Sequence, residues 1–152
     1  MKSEQFDDAV ALLKKLYRDE QFVLVAVDGH SAAGKFTFAR KLQAALRDVQ
    51  LVHGDDFYRV MSKTERFKLA APQGYRRYYD WERLEQQVLA PLAARREARY
   101  RAYSWETGTL RDAKVVQPHG TVIVEGVFCA RPELRSFYDA IFLMDTGAET
   151  RA

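Results

Sequence analysis

Six apolar residues, Phe22 to Val27, end at Asp28-Gly29 and run straight into Gly29-His30-Ser31-Ala32-Ala33-Gly34-Lys35. A short valine-rich stretch without polar alternation is the pattern of a strand buried on both faces. The spacing G-x-x-x-x-G-K lets consecutive backbone N–H groups turn inward around an anion, and the lysine adds a positive charge. Behind the loop, Phe36, Phe38, Ala39, Leu42, Ala45 and Leu46 give a helix, whose N-terminal dipole faces the same anion. Strand, glycine loop and helix in this order call for an α/β fold of the P-loop NTPase type. The expected phosphate contacts are Gly29, His30, Ser31, Ala32, Ala33, Gly34, Lys35, Phe36 and Thr37.

The rest of the chain agrees with that architecture. Phe6, Val10, Leu13, Leu16 and Tyr17 recur at helical spacing. Leu51-Val52, Thr121 to Val124 and Ala140 to Met144 are further short apolar runs, which makes about four core strands of a parallel sheet flanked by helices. They end at Gly54-Asp55-Asp56, Glu125-Gly126 and Asp145. Ligands of such sheets bind beyond the carboxyl ends of the strands, so these acids converge on one expected site. Residues 57–116 form an expected substrate-side insertion: aromatic and basic at first, with a short helix near Lys63 to Leu69. Asp80 then caps a helix carrying Leu84, Val88, Leu89 and Leu92, and two strands follow, Tyr100 to Tyr103 and Leu110 to Val116. Pro132 opens another short helix. The whole, 1–152, is read as one domain.

The position after Lys35 departs from the motif. P-loops place Ser or Thr there, and the hydroxyl binds Mg²⁺; here the residue is Phe36. A phenyl ring cannot ligate magnesium. Thr37 supplies a hydroxyl one residue on, about 100° further round the helix, and is expected to point elsewhere.

Composition narrows the function class. The 152 residues carry a formal net charge of +3, too small by itself to argue nucleic-acid binding and in keeping with a protein that handles polyphosphates. Arg76-Arg77 and Arg95-Arg96 are read as solvated faces, so no nucleic-acid partner is expected. The single cysteine, Cys129, excludes an internal disulfide and fits a reducing, cytoplasmic compartment. No apolar run approaches the ~20 residues that span a bilayer, and no membrane partner is expected. His30, His53 and His119 are scattered and none is read as a metal ligand.

Several segments in order resemble the uridine kinase branch of the P-loop kinases. Beside the P-loop these are Gly54-Asp55-Asp56-Phe57-Tyr58-Arg59, Tyr79-Asp80-Trp81 with Leu84, and Tyr103-Ser104-Trp105. Val124-Glu125-Gly126-Val127 and Asp145-Thr146-Gly147-Ala148-Glu149-Thr150-Arg151 complete the set. The resemblance runs from about Val23 to Arg151. It implies ATP or GTP with Mg²⁺ as cofactors, and phosphoryl transfer to a nucleoside-like small molecule. Asp55 would be the general base, favoured over Asp56, with Lys35 on the phosphates. Glu125 would hold Mg²⁺ directly or through water, with Asp55 the second metal-side carboxylate.

Asp80 is either a ribose ligand or a helix cap. Tyr58, Arg59, Tyr79, Tyr103 and Trp105 would line the acceptor subsite, the aromatic ones standing against plain core packing. Ser104 stands where the family has an acid, and Gly108 lies near its base-reading histidine. The arginine-rich lid and last strand that follow in the family are expected to be lacking after Ala152. Phosphoribulokinase-like and pantothenate kinase-like acceptors share the architecture, and a non-catalytic nucleotide-binding module is the rival reading. Self-association is left open.

Overall fold

A computed structural model describes residues 3–30, 33–67 and 77–144. Ser31, Ala32, Leu69, Arg76 and the stretch from Asp145 to Arg151 therefore lie outside the described residues. Helix α1 (Ser3–Glu20) precedes strand β1 (Phe22–Asp28), helix α2 (Lys35–Ala45) and strand β2 (Val49–His53). A 3₁₀ turn (Gly54–Asp56) and helix α3 (Lys63–Phe67) follow. Next come α4 (Trp81–Leu84), a π turn (Glu85–Leu89), α5 (Ala90–Ala93), β3 (Ala98–Tyr103) and β4 (Leu110–Val116). Strand β5 (Gly120–Gly126), a 3₁₀ turn (Pro132–Phe137) and β6 (Ala140–Leu143) complete the described order.

Four strands pair in parallel in the order β2-β5-β1-β6, as the apolar runs require. Residues alternate between the two faces of a strand, and here both faces are covered. Phe22, Leu24 and Ala26 of β1 join Val122 and Val124 of β5 in the core on the insertion side. Val23, Val25, Val27 and Ile123 pack with Leu13, Phe38, Ala39 and Leu42 beneath α1 and α2. A strand covered on both faces cannot alternate polar and apolar residues, and FVLVAV does not.

The described part of the insertion carries more regular pairing than its sequence suggests. Tyr58 and Tyr79 form an antiparallel bridge, and Asp80 N donates to the Phe57 carbonyl at 2.7 Å. Strands β3 and β4 form an antiparallel hairpin that packs Ala98, Tyr100 and Ala102 inward. The helix expected after Asp80 widens into a π turn just before Pro91. A proline has no N–H to give the carbonyl four residues back, and a widened turn accommodates that loss. Among the described residues no helix is long and apolar enough to cross a membrane.

Candidate active site

The carboxyl ends of β1, β2 and β5 open into a cleft of about 490 Å³ lined by Gly34, Lys35, Phe36, Thr37, His53, Asp55, Asp56, Glu125, Gly126 and Val127. Gly34 takes φ of +81°, a conformation that favours glycine, and added Cβ atoms there would project into open space. It turns the chain into α2, whose first turn faces the cleft. Lys35 is buried, and its ammonium donates to the His30 carbonyl across the loop at 2.9 Å. These features fit a nucleotide phosphate: Gly29, His30, Ala33 and Gly34 supply the loop, and Lys35 the charge. Thr37 borders the cleft together with Phe36 in the first turn of α2.

The acids divide by partner. Asp56 is tied to the hairpin, its Oδ2 lying 3.5 Å from the Tyr100 hydroxyl and 3.6 Å from Lys114 Nζ. The Asp55 carboxylate has no hydrogen-bond partner among the described residues, while its backbone carbonyl accepts from Trp105 Nε1 at 3.1 Å. Asp55 keeps solvent contact at the cleft. Loss of solvation raises its carboxyl above the usual range, Glu125 adds to that, and Lys35 opposes it. Glu125 is buried at the end of β5, where the strand register sets it opposite His53. Its Oε1 lies 2.9 Å from His53 Nδ1. That hydrogen bond raises the His53 imidazole above its ordinary value, against the opposing effect of burial.

The acceptor-side residues separate similarly. Tyr58, Tyr79 and Tyr103 are each 2% exposed and pack together, whereas Trp105 is 39% exposed. Trp105 meets Tyr58 and Tyr103 with ring centroids 5.0 Å apart. Among the described residues the Tyr79 and Tyr103 hydroxyls have no hydrogen-bond partner. Asp80 acts as the cap: its Oδ1 accepts from Arg83 N at 3.2 Å, and Oδ2 lies 3.5 Å from Arg83 Nε. Arg59 is exposed and pairs with Glu82 at 3.5 Å.

Against known proteins, residues 24–149 match the Phosphoribulokinase / Uridine kinase family. The chain belongs to that family. Its fold is similar to that of a possible uridine kinase from Bacillus stearothermophilus, at 25% identity and a TM-score of 0.72, covering 97% of this chain and 85% of that one. It is also similar to a proposed fructose transport system kinase from Silicibacter sp. TM1040, at 21% identity and a TM-score of 0.66, covering 88% and 72%. A comparison with curated proteins finds no match.

Family kinases use a nucleotide and magnesium in general, and this site suits the two unequally. Asp55 and Glu125 are oxygen donors of the kind magnesium takes. Yet Phe36 stands in place of the helix hydroxyl, half exposed, with its ring centroid 5.5 Å from that of His53. His53 in turn engages Glu125. The residues present do not fit magnesium as a P-loop kinase holds it.

Three contributors escaped the sequence reading. His53 had its signal in the alternation of β2: two residues before Asp55, at a strand end, it reaches the same cleft. Asp28, read as a strand-end residue in a turn signal but given no role of its own, accepts from three backbone N–H groups: Gly29 at 2.6 Å, Phe128 at 3.0 Å and Ala130 at 2.8 Å. It pins the loop after β5 to the start of the phosphate loop. Arg83 donates to the Asp56 carbonyl at 2.9 Å, the Tyr58 carbonyl at 3.3 Å and the Arg101 carbonyl, and its guanidinium lies over the Phe57 ring. It holds the Asp55 turn against the hairpin, and no local pattern marks it.

Proposed function

We propose that the protein transfers the γ-phosphoryl group of ATP or GTP to a hydroxyl of a nucleoside-like small molecule. The observation that carries this reading is the Asp55 carboxylate, without a hydrogen-bond partner among the described residues, which shares one cleft with Gly34 and Lys35 of the phosphate loop. In the proposed step the acceptor oxygen attacks the γ-phosphorus, Asp55 takes the hydroxyl proton, and the bond to the bridging oxygen breaks to release a nucleoside diphosphate. The loop N–H groups and Lys35 hold the phosphates, and the raised Asp55 carboxyl brings the base closer to working pH. Trp105, the exposed member of the aromatic cluster, offers a flat face to the acceptor. Asp80 supports the site as a helix cap.

The test is transfer of label from γ-labelled ATP to a panel of nucleosides and small alcohols, by this chain and by Phe36→Ser. Label on a nucleoside establishes the reading, and the ratio of the two rates measures what Phe36 costs. Label on none of the panel from either protein would sink it, and nucleotide binding without turnover would then be the better account. That second reading is favoured by Phe36 in the hydroxyl position.

A further inference from the structure

The family's cation and this chain's residues disagree, and the disagreement has a consequence for binding. We infer that the chain binds a nucleoside triphosphate without magnesium, because Phe36 and the His53–Glu125 pair close the place where the ion would bind. This rests on the P-loop reading.

Three observations meet at one spot. Phe36 follows Lys35 directly and lines the cleft, 52% exposed. A ring this large and this exposed at the start of a helix is held by neighbours rather than by the core. His53 is one of them, at 5.5 Å with 34° between the ring planes, and the Arg40 guanidinium is the other, 5.9 Å from the ring centroid. Behind this stack, His53 Nδ1 takes Glu125 Oε1 at 2.9 Å, and the Glu125 side chain is only 11% exposed. Magnesium demands near-ideal octahedral geometry and parts reluctantly with its waters. The ion with its water shell needs room beside α2 and a carboxylate oxygen free to receive it. The phenyl ring stands where the helix hydroxyl would ligate the ion, and the imidazole holds one oxygen of Glu125, which leaves Asp55 as the carboxylate without a partner among the described residues.

The described part of the anion side keeps its glycine turn and its lysine. Gly34 turns the chain into α2 with open space beside it, and Lys35 is buried at the cleft. Triphosphate affinity then comes from the loop and Lys35, and the free triphosphate, not its magnesium complex, is the species that matches the cleft.

The experiment titrates the full chain with a fluorescent ATP analogue, once in EDTA and once in excess magnesium, with electron paramagnetic resonance of Mn²⁺ as a second readout. The expected result is an affinity in EDTA equal to or above that in magnesium, with no Mn²⁺ bound alongside nucleotide. Phe36→Ser should gain roughly tenfold in affinity from magnesium, about 1.4 kcal/mol, and should hold Mn²⁺ with nucleotide. A tenfold gain from magnesium in the unaltered chain, abolished by Lys35→Ala, overturns the inference and leaves the P-loop reading standing. Binding that survives Lys35→Ala overturns the P-loop reading itself. If Phe36→Ser fails to fold, Mn²⁺ bound with nucleotide by the unaltered chain still overturns the inference, and its absence with binding intact supports it.

Discussion

Gly54 and Gly126 touch back to back: a Cβ on Gly126 would stand 2.7 Å from the Gly54 α-carbon, and one on Gly54 would stand 2.9 Å from that of Gly126. This contact brings the ends of β2 and β5 together immediately beside Asp55 and Glu125. Neither glycine has a flexible neighbour that can yield, because the obstruction is backbone. Gly126→Ala is expected to cost about 1–3 kcal/mol, as overpacking does, and to lower activity through the displaced acids. Urea unfolding of the variant checks this. An unchanged midpoint would mean that the two strand ends part freely.

Asp28 is expected to matter for stability before chemistry. Asp28→Ala leaves the N–H groups of Gly29, Phe128 and Ala130 without their acceptor. Losing hydrogen bonds to a charged group costs roughly 1.5–3 kcal/mol for one, and the three are not additive. A loss of at least about 2 kcal/mol in chemical denaturation is expected, together with weaker nucleotide binding.

Asp55→Asn separates the base role from stability. Activity should fall by about 10²–10⁴-fold, the usual contribution of a general base. The carboxyl is raised in the folded chain, by lost solvation first and by Glu125 second, so the fold disfavours its charged form. An acid raised in this way lets stability fall as pH rises from the unfolded value, about 3.9, through the folded one. Asn carries no such penalty. The variant should melt above the unaltered chain at neutral pH, with the gain vanishing below about pH 4. A gain that persists in acid would rule out the charge as its cause.

Cys129 is fully buried, with its thiol donating to the carbonyls of Val27 at 3.4 Å and Val124 at 3.6 Å. Burial pushes the thiol well up, and the charges of Asp28 and Glu125 add to it. Little thiolate forms at mild alkalinity, and a reagent has no path to it. A thiol reagent at pH 8 should label no cysteine in the native chain and one after denaturation. Rapid native labelling would show that the β5 end opens readily.

The fold was legible where local pattern and burial coincide. A strand covered on both faces must be apolar throughout, so β1, β5 and β6 declare themselves in the sequence, and a phosphate loop must be rich in glycine because its backbone does the binding. Asp55 and Glu125 were legible for a related reason: each closes a strand, and strand ends of such a sheet converge. The sequence also placed Phe36 where a hydroxyl is expected.

What only the tertiary structure decided is how those residues are partnered. The pairing of His53 with Glu125 depends on β2 lying beside β5 in a set register, across 72 positions of chain. The choice of Asp55 over Asp56 as the free carboxylate depends on Tyr100 and Lys114 reaching Asp56 from the hairpin. Propensity and periodicity describe neighbours along the chain, whereas hydrogen bonds and packing at this cleft join residues that only the folded topology brings within reach.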